Sequence, residues 1–239
     1  MSKGIFYGIG VGPGDPELMT LKAVHLIREC DYLAVPGKVK EETTAYQIAQ
    51  QVIEGLDEKP CLEIDIPMSK DPVLLAYSYS EGASRIAKIL AQGKNVACLT
   101  LGDPTIYSTY SHLQKEVRQL GYETVTISGV TSITGVAARL GLSLGSKDEE
   151  IHIIPGECDA AQALALPGTK VFIKAASKIT ELKQALEHFD GDVWMVEKCG
   201  FPGEKLYHGV EDLPEEAEYF SIVIAVETPA EEDIEVLRI

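Results

Sequence analysis

The tripeptide Gly-Asp-Pro occurs twice in this chain, at Gly14-Asp15-Pro16 within "YGIGVGPGDPELMTLKA" and at Gly102-Asp103-Pro104 within "CLTLGDPTIYSTY". Each copy follows a short apolar run of the kind that fills a buried strand. A glycine at such a place lets a ligand or a second backbone come close, and an aspartate before a proline is a helix N-cap followed by a favoured first helical residue. One such loop reads as capping. Two of them, with a third loop of small residues at "SGVTS" (128–132), point to a ligand held at the ends of strands.

The spacing also says which ligands do not fit. Counted from Gly8 and Gly10, the third glycine of a dinucleotide fingerprint would fall at Pro13; counted from Gly10 and Gly12, it would fall at Asp15. No Gly-Lys-Ser/Thr follows, so the loop is not a P-loop, and carboxylates at Asp15 and Asp103 would repel a phosphate. A cationic cofactor without phosphate suits these loops better. S-adenosylmethionine has that chemistry, with a sulfonium, an ammonium and ribose hydroxyls that seek acceptors. None of the five histidines stands at a metal-ligand spacing and there is no Cys-x-x-Cys pair, so no metal site is expected.

These loops need a scaffold. With 239 residues, 45% of them apolar and 24% charged, the composition is that of a globular chain of one or two domains. A formal net charge of −16 with no Lys/Arg run argues against nucleic acid as a partner, and the acidic stretches "EEAEYF" (215–220) and "PAEEDIEV" (229–236) read as solvated surface. No apolar stretch approaches the ~18 residues of a membrane span, and the start lacks a secretory apolar core; a cytoplasmic protein is expected. Cys30, Cys61, Cys98, Cys158 and Cys199 are odd in number and scattered, which suits reduced core residues.

Along the first half, strands at 4–11, in "DYLAVPG", in "CLEIDIP", in "KNVACLTLG" and at 123–128 alternate with helical patterns at 21–30, 43–55 and 72–92 and in a segment opening at Pro104. The 21–30 helix is expected to bury Leu21, Val24 and Ile27. The one from Pro104 is expected to bury Ile106, Tyr110, Leu113, Val117 and Leu120. Strand and helix in series predict an α/β domain over 1–128 with a mostly parallel sheet covered on both faces. After a helix at "VTSITGVAARLG", strands in "EEIHIIPG", "TKVFIKA", "DVWMVEKCG" and "YFSIVIAVE", with a helix in "KITELKQALEHF" and a connection through "LYHGVEDLP", predict a second α/β domain over 129–239 with a mixed sheet.

Four segments in order, "GIGVGPGDPELMTLKA", "LTLGDPTIYST", "SGVTSITGVAARLG" and "EKCGFPGEKLYHG", resemble the tetrapyrrole methylase family over nearly the whole chain. The "GDPTIYST" loop, the "PMSKD" segment at 67–71 and the length are most similar to the members that methylate carbon 20 of precorrin-2 in cobalamin synthesis. Siroheme-forming relatives usually carry Gly-Gly-Asp-Pro where this chain has Leu101-Gly102-Asp103-Pro104. The resemblance implies two α/β domains around S-adenosylmethionine, a homodimer, and a tetrapyrrole substrate. It implies cofactor contacts from Pro13, Leu101, Gly102, Asp103, Ile106, Thr131, Ser132 and Gly200. Where relatives usually carry a Met against the cofactor this chain has Lys174, which suggests a contact to a substrate carboxylate instead.

The substrate's carbon 20 would attack the sulfonium methyl in line and then lose a proton, and Asp103 is the first choice of base, with helix capping as its other role. Tyr107 and Tyr219 are expected against the macrocycle, and Arg139 is a weaker choice for a substrate carboxylate. Other readings of the same loops are a methylase of another corrinoid intermediate or of uroporphyrinogen III, and a small-molecule binding or regulatory protein without turnover.

Overall fold

In the computed structural model, residues 2–227 are described. The acidic stretch 229–236 lies outside them. The chain divides into two compact units with the boundary between Thr131 and Ser132, three residues beyond the position expected from the sequence.

The first unit is a five-stranded sheet of β1 (Ile5–Gly10), β2 (Tyr32–Pro36), β3 (Cys61–Ile64), β4 (Val96–Thr100) and β5 (Glu123–Ile127), in the order β3-β2-β4-β1-β5. Every pairing is parallel. Parallel strands joined by crossover helices lose both faces to packing, which is why β4 reads as a continuous apolar run and is buried at every residue. The helices are α1 (Leu21–Glu29), α2 (Thr44–Val52), α3 (Pro72–Leu90) and α4 (Thr109–Gln119). The first turn of α3 is capped by Asp71, whose carboxylate accepts the Val73 N–H at 2.9 Å with Pro72 at the first helical position.

Two expectations about these helices are corrected. Leu21 is 78% exposed, and the buried stripe of α1 is Ala23, Val24 and Ile27, because at 3.6 residues per turn Leu21 falls roughly 110° from the centre of that stripe. The fourth helix begins at Thr109 under a Ser108 cap, not at Pro104. Tyr110, Leu113 and Val117 are buried as expected, while Leu120, at the C-cap, is half exposed.

Tyr110 packs its ring against Phe6 and against Gly8, where an added Cβ would stand 2.3 Å from the ring. Its hydroxyl donates to the Val125 carbonyl at 3.1 Å, pinning α4 to β5. Burial pushes the Tyr110 phenol up, so it stays protonated and keeps that bond. Burial likewise raises the thiols of Cys30 and Cys98 to about 12 and that of Cys61 to about 11, so these three are packing groups and not nucleophiles.

The second unit holds α5 (Ser132–Leu140), β6 (Ile151–Pro155), α6 (Ala160–Leu164), β7 (Thr169–Ile173), α7 (Ile179–Leu186), β8 (Gly191–Glu197), β9 (Lys205–His208) and β10 (Ser221–Glu227). Its sheet runs β6-β7-β10-β8-β9 and is mixed: β6 and β7 are parallel, and β10 is antiparallel to both β7 and β8. The segment read as a connection contains β9, paired antiparallel to β8. One face of the sheet is sealed by Ile154, Phe172, Met195 and Val223 against Ile179, Leu182 and Leu186. Among the described residues no helix is long and apolar enough to cross a membrane.

Replacing Tyr110 by Phe keeps the ring packing and deletes two hydrogen bonds, the one donated to the Val125 carbonyl and the one accepted from Gln114 Nε2 at 3.1 Å. The expected cost is about 1 kcal/mol, read as a lower urea midpoint at unchanged slope.

Candidate functional site

The loops after β1, β4 and β5 leave three strands that are neighbours in the sheet, all at the carboxyl edge, where open α/β sheets hold ligands. They meet at Gly10, Gly12, Gly102 and Gly129. The Gly102 N–H donates to the Gly12 carbonyl at 2.8 Å, forming an isolated bridge between the two Gly-Asp-Pro loops, and the Val11 N–H donates to the Thr100 carbonyl at 2.9 Å. A Cβ placed on Gly10 would stand 2.5 Å from the Gly102 carbonyl oxygen and 2.8 Å from Cα of Gly129. One on Gly129 would stand 2.3 Å from the same oxygen. Gly102 itself sits at φ +68°, a left-handed conformation that disfavours side chains. These glycines are thus required first by the contact of loop with loop.

Asp103 fastens the arrangement. It is 5% exposed. Its Oδ1 accepts from the Thr105 N–H at 2.7 Å and the Thr105 hydroxyl at 2.6 Å, and its Oδ2 accepts from the Ser128 hydroxyl and from the Gly129 N–H at 2.9 Å. A carboxylate offers about four acceptor sites, and here each oxygen serves two donors. Burial pushes the Asp103 carboxyl up, but the bonds from Ser128, from the Thr105 hydroxyl and from the two backbone N–H groups outweigh it and hold the group below the usual carboxylate range. The geometry weighs against the expected role of base: a proton acceptor needs a free lone pair, and each Asp103 oxygen already serves two donors. Nor does it cap a helix; it closes a turn through Thr105 and ties the β4 loop to the β5 loop. Asp15, the counterpart in the first loop, does cap a short helical turn, accepting the Glu17 N–H at 2.9 Å.

Around this tie, Pro13 is buried and Leu101 and Ile106 are half-buried. Thr131 closes the first unit, and Ser132, exposed, opens α5. Tyr107 is exposed and left-handed at φ +48°. The loop residues from 11 to 20, 101 to 108 and 128 to 132 include no Lys, Arg or His. Backbone groups, hydroxyls and apolar side chains without a cation fit an adenosyl group and not a phosphate.

The remaining residues singled out from the sequence belong to the second unit. Lys174 follows β7, exposed, at φ +55°. Ile173 pairs with Ile222, so Lys174 and Tyr219, which is exposed and packed edge-on to Phe220 at 5.2 Å, sit at one end of the sheet. Lys198 leaves β8 at the same end, also left-handed, and its N–H donates to the Phe220 carbonyl at 2.8 Å. Gly200 sits in the turn after β8 at φ +78°. Arg139 is not free for a substrate: its Nε donates to Glu204 at 2.6 Å. Reasoning from sequence missed Ser128, Gly129 and Glu204 as partners; the carboxylate four residues past Gly200 in "CGFPGE" was the available signal for the last. Among the described residues no group of three or more His, Cys, Asp or Glu could hold a metal ion.

A two-unit α/β chain with glycine-rich loops gathered at the carboxyl edge of a parallel sheet and no phosphate-binding cation among them has the build of a small-molecule transferase. The sequence profile of the tetrapyrrole (corrin/porphyrin) methylases matches residues 6–214, and the chain belongs to that family. It is 32% identical to the probable cobalt-precorrin-2 C(20)-methyltransferase of Methanocaldococcus jannaschii, covering 91% of this chain and 94% of the relative. It is 29% identical to the precorrin-2 C(20)-methyltransferase of a Sinorhizobium species over 92% and 94% of the two chains. Among solved structures, the uroporphyrin-III C-methyltransferase of Thermus thermophilus complexed with S-adenosylhomocysteine has the same fold, with a TM-score of 0.67 and 21% identity over 94% of this chain and 98% of the other.

Replacing Asp103 by Asn puts an amide in place of one acceptor, facing the donors of Thr105 or of Ser128 and Gly129. A loss of about 2 kcal/mol or more is expected, together with weaker S-adenosylhomocysteine binding in calorimetry. The folded carboxyl lies below its unfolded value of about 3.9. Its contribution is therefore complete above that pH and lost as the pH falls through the folded value, so the gap between wild type and Asp103→Asn should narrow in acid.

Proposed function

We propose that this protein transfers a methyl group from S-adenosylmethionine to carbon 20 of precorrin-2, or of its cobalt complex, in cobalamin synthesis. The observation that carries the reading is the match of nearly the entire chain, at about 30% identity, to relatives named for that reaction, joined to loops whose chemistry suits an adenosyl group.

When bound, S-adenosylmethionine supplies an electrophilic methyl on a sulfonium. The protein's share is alignment and exclusion of water, and orientation of two bound reactants is worth roughly 7 kcal/mol or more of a barrier. Pro13, Leu101 and Ile106 give apolar walls, Gly102 gives backbone without a side chain, and Thr131 and Ser132 give hydroxyls for the cofactor's polar groups. Gly200 is read as one further backbone contact to the cofactor. Asp103 acts by holding two of these loops in register and is a positioning residue. With Asp103 committed, the proton leaving carbon 20 goes to another acceptor, water or a substrate carboxylate being within the chemistry available.

The substrate is polyanionic and the protein carries 37 acidic against 21 basic side chains, so cations must be placed locally. Lys174, exposed after β7 at the same end of the sheet as Tyr219, is read as one such cation, and Tyr107 and Tyr219 offer exposed rings for a flat macrocycle. The reading includes a homodimer in the cytoplasm. Met68, Val73, Leu74 and Tyr77 form an exposed apolar group at the start of α3 that suits a subunit contact, and five cysteines without a disulfide suit a reducing compartment. Sedimentation velocity of the purified protein should give twice the chain mass.

The direct test is incubation with methyl-labelled S-adenosylmethionine and precorrin-2 or cobalt-precorrin-2, with the product's methyl position read by NMR. A label at carbon 20 is expected; a label elsewhere on the ring, or none, refutes the reading. Lys174→Met should raise the KM for the tetrapyrrole several-fold and leave cofactor affinity unchanged, with the effect shrinking at high salt.

A further inference from the structure

The second unit contains a carboxylate whose two oxygens serve two different segments, and both segments lead to positions read as cofactor contacts. Glu204 Oε2 accepts the Gly200 N–H at 2.9 Å, while Oε1 accepts from Arg139 Nε at 2.6 Å, and the Cys199 thiol adds a further bond. The Glu204 side chain is only 17% exposed, although Arg139 is half exposed. The turn it closes is tight. The Phe201 N–H donates to the Lys198 carbonyl at 2.8 Å, the Glu204 N–H donates to the Phe201 carbonyl at 3.2 Å, and Lys198, Gly200 and Gly203 all have positive φ. Two of its N–H groups are satisfied within the turn, and the Gly200 N–H takes the acceptor that Glu204 supplies. Arg139 stands in the last turn of α5, the helix that Ser132 opens. A helix of nine residues is a stiff rod of about 14 Å, so holding one end orients the other.

We propose that Glu204 is a positioning residue of the S-adenosylmethionine site, latching the Gly200 turn to α5 so that the turn and Ser132 keep a fixed relation before the cofactor arrives. The proposal rests on the reading of Gly200 and Ser132 as cofactor contacts. Overall stability is not the purpose of the ion pair, since a pair with one partner this exposed contributes little to folding. Its value is geometric: a preorganised turn avoids the ordering cost that binding would otherwise carry. Burial would raise the Glu204 carboxyl, but the Gly200 N–H and the Arg139 guanidinium outweigh it and hold the group below the usual range, which keeps the latch charged at neutral pH.

Three variants separate the two oxygens. Glu204→Gln keeps an acceptor for the Gly200 N–H and gives up the charge facing Arg139. Arg139→Met breaks only the link to α5, and Glu204→Ala removes both. S-adenosylhomocysteine affinity by calorimetry, thermal midpoint, and the separate KM values for cofactor and tetrapyrrole are measured for each. Expected are a loss of cofactor affinity of tenfold or more for Glu204→Ala and of a few-fold for Arg139→Met and Glu204→Gln, with the tetrapyrrole KM unchanged and midpoints within a few degrees. The latch is refuted if Glu204→Ala binds S-adenosylhomocysteine as wild type does, or if both KM values rise together. Should Glu204→Ala not fold, the two milder variants decide: cofactor affinity equal to wild type in both refutes the latch. A wild-type protein that binds no S-adenosylhomocysteine removes the underlying functional reading instead.

Discussion

The first unit is organised around the close approach of three strand-end loops at the carbonyl of Gly102. Parallel neighbours in a sheet lie about 4.8 Å apart, and loops leaving β1, β4 and β5 can meet only if no side chain stands between them. Glycine at positions 10, 102 and 129 satisfies that condition; a Cβ at Gly10 or Gly129 would stand within 2.5 Å of the Gly102 carbonyl oxygen, too close for any side chain. Removing side chains permits contact without fixing it. Asp103 supplies the fixing, because a buried carboxylate is costly unless its acceptor sites are filled, and here the donors that fill them come from its own turn and from the neighbouring loop.

The same device occurs in the second unit with different residues. Glu204 gathers a backbone N–H, a guanidinium and a thiol, much as Asp103 gathers two backbone N–H groups and two hydroxyls. Both carboxyls are held below the usual range for the same reason: donors aimed at the charged form outweigh the burial that opposes it. In each unit a carboxylate next to the expected cofactor contacts is thereby spent on shape. That division suits methyl transfer to an electron-rich carbon, in which alignment supplies much of the acceleration.

Charge sets the other constraint. In a chain with a formal net charge of −16, like charges repel unless acidic groups are occupied by donors or cations. At one end of the second sheet Lys198 is paired with Glu218 at 2.8 Å. Lys174 and Lys198 leave β7 and β8 at the same end, each in a left-handed conformation that a lysine adopts at a cost. Buried Glu197 is occupied by the Tyr207 hydroxyl at 3.0 Å, the Glu218 N–H at 2.9 Å and Lys205 at 3.4 Å.

Much of this was legible in the residues because it depends on local rules. Apolar runs of five residues alternating with 3.6-period stripes give a parallel sheet with crossover helices, and the repeated Gly-Asp-Pro marked two of the three loops that meet. The order of four segments marked the family. What the sequence left open depended on partners distant in the chain. Asp103-Pro104 has the local form of a helix cap, yet α4 begins at Thr109 under a Ser108 cap, and the Asp103 carboxylate bonds Ser128 and Gly129, about 25 residues away. Glu204 and Arg139, 65 residues apart, look in sequence like two exposed charges. The strand β9 is four residues with little alternation and exists because β8 offers it an edge. Periodicity and turn chemistry are properties of neighbours along the chain, so the sequence alone determined the elements and the family; which carboxylate meets which donor is settled only when the sheet brings separate loops to one edge, and that the tertiary structure decided.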